Sequence, residues 1–468
     1  MVLCGPLVQN KGDWNMKSTK RNGIRTAKYL AVFALSLSLV AIVTHITVCG
    51  QTRLTNNVRT VPPVVIPTGA VVMEWNQYAA ALTLLPSSAL APVQQTRVMA
   101  IVQVSGHDAV NGITKEYETY LAPGPGPQDA SPEAAAIAAY YQALTTLFGN
   151  GPFTVLGNKT LSQLYSESLA AHGLSEADPG IGYGNAAAAA VLAIRSNDGA
   201  AFAQFAYDGP DTNAGTWRLL PGQTALLPGW GRVLPFVLRS GSQFRADPPP
   251  ALDSDVYTRD YNEIKEIGRA GSTTRTQLQS NIATFWRASP TAIWNPVMRQ
   301  SLAARSFNLS ETARAFALFY LAASDSGVAC WETKYIYDFW RPQSAIRAGN
   351  SDGNPDTVGD TTWAPFIPTP PHPDYTSGHT ANSSAMATVL ESLFGDGLDS
   401  PISVTLSGIT RQWNTYGQAV DEVIDARVYS GIHFRNSDIA GARQGRQVAQ
   451  FVLVHALRQC RGRGSRCS

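Results

Sequence analysis

The amino-acid sequence predicts an all-α fold made of two packed helix bundles. Apolar residues recur at i, i+3, i+4 and i+7 through most of the chain, with Gly or Pro at the segment ends. Strand-type alternation is scarce, with residues 61–67 the best short extended piece. The 468 residues are 44% hydrophobic and only 15% charged, with 39 Gly and 29 Pro, which describes a large buried core joined by many loops and excludes a disordered chain.

Helices are expected over residues 92–110, 132–148, 161–172, 185–196, 260–268, 274–287, 311–323, 327–340, 380–394 and 436–458. Composition breaks at 245–253, where Pro248-Pro249-Pro250 cannot sit inside a helix, and residues 221–231 also read as loop. This places an N-terminal helical region over 51–246 and a C-terminal bundle carrying the site over 247–468. A second proline-dense loop, 365–373, is expected to run extended and stops just before the most informative residues.

Residues 1–50 read as a targeting segment. Lys17, Lys20, Arg21, Arg25 and Lys28 precede an uncharged, mostly apolar run over 29–48, the pattern of a secretory signal, with Met16 as the natural start. Cleavage near 49–52 would make the protein secreted or periplasmic; the alternative is a membrane anchor over 29–48. Cys330, Cys460 and Cys467 would remain, too few for a disulfide framework, although Cys460 and Cys467 can pair after export. Cys330 reads as a small buried residue, and no zinc-type Cys/His spacing occurs. A net charge of +2 supplies no field for nucleic acid, and the tail arginines Arg458, Arg461, Arg463 and Arg466 read as solvated.

Three segments carry candidate chemistry. In the first, Lys334 and Arg341 stand seven apart before Pro342, which would put both on nearly one helix face. Two cations so placed need an anion or acidic partners; the plain alternative is a solvated face paired with Glu332 and Asp338. In the second, Ser377-Gly378-His379 precedes an apolar helical run. Ser377 suits a helix N-cap, Gly378 admits close approach of a ligand to the backbone, and His379 can exchange protons near neutral pH. Free N–H groups at a helix start favour anions. In the third, Arg427 and His433 are six apart, off one helical face, but Ser430-Gly431 offers a break that could bring them together. Of the seven histidines in the chain, His372, His379 and His433 fall in or beside these segments. Together they describe a pocket for a tetrahedral oxyanion with an acid–base histidine beside it.

Lys-x6-Arg-Pro, then Ser-Gly-His, then Arg-x5-His resembles the shared signature of vanadium-dependent haloperoxidases and type 2 phosphatidic acid phosphatases. The likeness is closest over 327–445 and extends loosely from residue 71 onward, toward the two-bundle haloperoxidases. The resemblance implies that His433 is the protein ligand of vanadium. Lys334, Arg341, Ser377, Gly378 and Arg427 would hold vanadate oxygens, or phosphate in the same place, and His379 would act as acid and base. Trp331 would be the halide-pocket tryptophan, and His372 stands where bromoperoxidase-like members carry His. The implied activity is oxidation of halide, bromide rather than chloride, by hydrogen peroxide, with a small organic acceptor. The alternatives are an acid phosphatase working through a phosphohistidine and a non-catalytic oxyanion-binding protein; self-association is left open. The chain departs from the pattern at Thr376 (usually Pro), Ala426 (usually Ser) and Ser437 (usually acidic), with Asp438 one step late. That acidic residue would orient the metal-bound histidine.

The remaining features read as structural. Asn158, Asn308 and Asn382 begin glycosylation sequons, and a glycan on Asn382 would obstruct the pocket. His107, Phe339 and Trp340 read as core, and His455 as helix packing.

Overall fold

Asn308 starts the longest helix. Its side chain accepts the Glu311 N–H while the Glu311 carboxylate accepts the Asn308 N–H, closing a capping box. In the computed structural model, which describes residues 68–460 apart from 122, 208 and 210, this helix is the ninth of thirteen among the described residues. The first eight are α1 (Ala70–Thr83), α2 (Pro92–Thr114), α3 (Pro132–Phe148), α4 (Leu161–Ala171), α5 (Pro179–Arg195), α6 (Asp255–Ile267), α7 (Gln277–Phe285) and α8 (Pro290–Ala303). Then come α9 (Leu309–Tyr337), α10 (Pro342–Ala348), α11 (Gly378–Phe394), the antiparallel pair β1 (Ile402–Leu406) and β2 (Ile409–Trp413), α12 (Tyr416–Tyr429) and α13 (Arg435–His455). The fold is all-α, as expected.

The two bundles share α9. On one side it packs against α2, which with α3 and α5 forms the N-terminal set; on the other it packs against α11 and α13. Its residues are buried around most of the circumference, as a central helix requires. The described residues belong to one compact unit. The closest pair is α11 with α13, where Gly441 and Gly445 let backbones nearly touch: a Cβ on Gly445 would fall 2.0 Å from the Ala381 carbonyl oxygen.

Two expectations fail here for identifiable reasons. The sequence predicts separate helices over 311–323 and 327–340, divided at Ser324-Asp325-Ser326. The structure has a single 29-residue helix. Asp325 does not break it, because its carboxylate accepts the N–H groups of Phe236, Val237 and Leu238 at 2.7, 2.7 and 2.9 Å and so anchors a loop to the helix flank. Nor do Lys334 and Arg341 share a helical face. Asp338 adopts a left-handed C-cap at φ 52°, donates its N–H to the Lys334 carbonyl and ends α9; Arg341 lies beyond, as the N-cap residue of α10, with Pro342 at the first helical position. Helices α1, α8, α10 and α12 and the hairpin were not foreseen; α8 carries Pro296 in its interior and α10 is only seven residues long.

Phe339 and Trp340 are buried in a core cluster with Tyr257, Tyr261 and Phe434. His107 is buried, with its ring 3.1 Å from the Glu118 carbonyl oxygen and 3.1 Å from the Asn111 amide. His455 stacks on Phe451. Cys330 is free and buried, whereas Cys460 is disulfide-bonded. The signal or anchor segment, residues 61–67 and Cys467 lie outside the described residues. No helix among the described residues is long and apolar enough to cross a membrane.

Candidate functional site

The site assembles where three chain breaks meet. The end of α9 supplies Lys334 and, one turn earlier, Trp331. The strap from His372 to Ser377 leads into the N-terminus of α11. The end of α12 supplies Arg427, and the turn before α13 supplies His433. Gly431 makes that turn: it sits at φ +77°, and a Cβ there would fall 2.2 Å from the Gly268 carbonyl oxygen. The expected break at Ser430-Gly431 is therefore present, and it brings Arg427 and His433 to one cavity of about 230 Å³ with Trp331, His372, Gly378 and His379. Arg341 reaches the same point from α10.

Lys334, Arg341 and Arg427 are 0, 1 and 3% exposed, an arrangement that isolated cations cannot sustain without compensation. The Lys334 ammonium donates to the carbonyls of Pro373 and Asp374 at 2.6 and 3.0 Å. Burial, with the charge of Arg341 added, pulls its pKa down to about 7. Arg341 donates to the carbonyls of His372 and Ile432 at 2.7 and 2.6 Å, and its two terminal nitrogens meet His433 Nε2 at 3.1 Å and His372 Nδ1 at 2.9 Å. Arg427 donates once, to the Trp286 carbonyl at 2.9 Å, while its Nε is buried without a partner. Burial pulls both guanidinium pKa values to about 10, still far above neutrality.

Guanidinium groups only donate, so His433 Nε2 accepts from Arg341 and the ring proton belongs on Nδ1. Burial first, then Arg341, Lys334 and Arg427, hold the His433 pKa well below its usual value, which keeps the ring neutral. On its other side, Nδ1 lies 2.9 Å from Oδ1 of Asp374, close but off the line of a good hydrogen bond. Asp374 was not recognised in the sequence, and the acidic residue expected after His433 does not do this work. Ser437, four after His433, donates its hydroxyl to the other oxygen of Asp374. Asp438 is fully buried beside Ser377 and Arg427, and neither of its oxygens is placed to make a good hydrogen bond. Burial raises its pKa, against the pull of Ser377 and Arg427.

Ser377 occupies the N-cap position of α11, as expected, but its hydroxyl makes no capping bond and is buried without a partner. The first-turn N–H groups of α11, from Gly378 onward, have no partner within the helix. Gly378 packs under Trp331, where a Cβ would come 2.9 Å from the indole. The Trp331 N–H is not free, because it donates to the Leu226 carbonyl at 3.2 Å. His372 lies against the Trp331 ring, centroids 4.9 Å apart. His379 is partly buried and borders the cavity, its Nε2 3.1 Å from the Ala288 carbonyl oxygen; burial and then Arg427 lower its pKa well below the usual value. Asn382 is buried and donates to the Ala323 carbonyl, which leaves no room for a glycan.

These groups fit a tetrahedral oxyanion. Three buried basic side chains, Lys334, Arg341 and Arg427, meet the buried carboxyl groups of Asp374 and Asp438, and among the partnerless buried atoms there Ser377 Oγ and Arg427 Nε can donate to an added oxygen. Among the described residues no group of three or more His, Cys, Asp and Glu could hold a metal ion. A larger groove of about 450 Å³, lined by Arg245, Pro250, Asn436 and Arg443, shares no lining residue with this cavity.

In sequence and fold the chain is similar to vanadium haloperoxidases. Residues 314–462 match the family model described as the VCPO second helical-bundle domain. Vanadium chloroperoxidase of Curvularia inaequalis is 26% identical, over 43% of this chain and 40% of its own length, so the match spans less than half of that protein. Among solved structures, a bacterial vanadium-dependent iodoperoxidase superimposes with a TM-score of 0.70 at 23% identity, covering 85% of this chain and 98% of that one. A holo-type bacterial vanadium-dependent chloroperoxidase gives 0.63 at 17% identity, covering 83% and 97%.

Proposed function

We propose that the chain is a vanadium-dependent haloperoxidase that oxidises halide with hydrogen peroxide. The observation that carries this reading is the convergence of Lys334, Arg341 and Arg427 with the partnerless Ser377 Oγ and Arg427 Nε around a neutral His433. His433 would be the protein ligand through Nε2, and Lys334, Arg341, Arg427, Ser377 and the Gly378 N–H would hold the oxygens. When bound, vanadate supplies a Lewis-acidic centre that activates hydrogen peroxide without changing its own oxidation state. Halide, peroxide and one proton then give hypohalous acid and water, halide losing two electrons to the O–O bond. His379, neutral in the anion-free site, takes up the proton that peroxide brings and returns it as water leaves. Lys334 draws electron density toward its ammonium.

Bromide is proposed over chloride because His372, which lines the cavity beside Trp331, stands where the resemblance places the histidine of bromoperoxidase-like members. A small organic acceptor takes the oxidised halogen. Export of the mature chain, from residues 1–50, and a division into helical regions 51–246 and 247–468 belong to the same proposal. The test is peroxide-dependent bromination of a dye with and without vanadate, on the native protein and on His433→Ala. Vanadate-dependent turnover lost in His433→Ala is expected; a native protein that oxidises neither bromide nor iodide removes the reading.

The same groups suit phosphate, and a neutral His433 with its Nε2 lone pair free of a proton is what in-line attack on phosphorus needs. Phosphate release from a chromogenic monoester without vanadate would favour that second reading.

A further inference from the structure

We infer that Asp374 is the positioning residue of His433, taking over from the strap before α11 the task that a carboxylate after the histidine would otherwise perform. The case rests on how Asp374 is held. Its backbone N–H donates to the Phe339 carbonyl at 2.8 Å, fixing the strap. One carboxylate oxygen accepts the Ser437 hydroxyl, and the nearby Phe434 backbone N–H favours the charged carboxylate. Oδ1 is then left 2.9 Å from His433 Nδ1 and 3.8 Å from Arg341. Asp374 is fully buried, so no water competes for that oxygen.

The arrangement is reciprocal with the residues around it. Ser437 stands at the position where an acidic side chain was expected, and a serine there can donate to a carboxylate but cannot replace one. Asp438 is turned to Ser377 and Arg427 instead. Arg341, a pure donor, occupies Nε2, so Nδ1 carries the proton and faces Oδ1 of Asp374 at 2.9 Å. A histidine whose outer nitrogen is held by a carboxylate presents a fixed tautomer and a more basic inner nitrogen to a metal. Asp374 reaches His433 from 59 residues away, which is why the order of residues after the histidine does not reveal it.

The tautomer part stands on its own, and the affinity part rests on the haloperoxidase reading; the experiment separates them. Full-length protein labelled with ¹⁵N-histidine and free of vanadate is examined by two-bond ¹H–¹⁵N NMR, with His433→Gln for assignment. The native ring is expected to carry its proton on Nδ1, and Asp374→Asn to shift or broaden that signal. Calorimetry with inorganic vanadate is expected to show Asp374→Asn weakening binding about tenfold or more, with the melting temperature nearly unchanged. Adding Ser437→Asp to Asp374→Ser should restore the affinity by returning a carboxylate to the histidine. A native ring protonated on Nε2, or an Asp374→Asn protein with native tautomer and native vanadate affinity, overturns the inference. If the native protein binds no vanadate, the haloperoxidase reading falls while the NMR arm still decides the role of Asp374.

Discussion

The guanidinium of Arg341 stands 3.1 Å from Nε2 of His433, across 92 positions of sequence. That contact joins the loop after α9 to the turn before α13. Arg341 also donates to the carbonyls of His372 and Ile432, so one side chain ties all three site segments together. An anion entering here meets charges already held in place, with little reorganisation left for the moment of binding.

Arg427 is the cation with a nitrogen to spare. Arg427→Ala should weaken vanadate or sulfate binding by about 1.5–3 kcal/mol, roughly ten- to hundredfold, the worth of a charge-assisted hydrogen bond. Calorimetry on both proteins measures it, and equal affinities would remove Arg427 from the site.

Lys334 sets the pH dependence of that binding. Its pKa is about 7 in the anion-free protein, below the usual lysine value, and a bound anion must raise it. Above about 7, binding is then coupled to proton uptake, so affinity falls as pH rises and levels off below that value. In the free protein the sign reverses: the unfolded chain binds the extra proton between about 7 and the ordinary lysine range, so stability rises with pH across that window. Sulfate does not titrate there and isolates the effect; in Lys334→Met the slope of log affinity against pH should vanish.

His379 should separate chemistry from binding. His379→Ala is expected to lower kcat for peroxide-dependent bromination by about 10²- to 10⁴-fold, the usual worth of a positioned acid–base group. Vanadate affinity should stay near the native value. A parallel loss of both would mean that His379 holds the anion instead.

Gly378→Ala tests the packing that frames the cavity. The added methyl would meet the Trp331 indole at 2.9 Å, an overpacking expected to cost about 1–3 kcal/mol of stability in denaturant unfolding. Combining it with Trp331→Leu should recover most of that loss, because the clash is with the side chain and not with backbone.

Sequence alone was enough for the helical class, because helix periodicity and end signals are local properties. Of the groups that the sequence singles out, Trp331, His372, Gly378, His379, Arg427 and His433 line one cavity, with Lys334, Arg341 and Ser377 directly behind it. The hinge at Gly431 was legible for the same reason, since a glycine between two helical runs marks a local break. Geometry between segments was not legible. Seven-residue spacing placed Lys334 and Arg341 on one helix face, yet Asp338 ends the helix between them and tertiary contacts alone bring the two side chains together. Ser324-Asp325-Ser326 looked like a helix break, and only the loop at Phe236–Leu238, some 90 residues away, turns it into a buried anchor. The carboxylate beside His433 belongs to Asp374, which the Ser437 hydroxyl and the Phe339 carbonyl hold in place. No rule of spacing reports a contact that exists only once the strap, the turn and α13 have packed against one another.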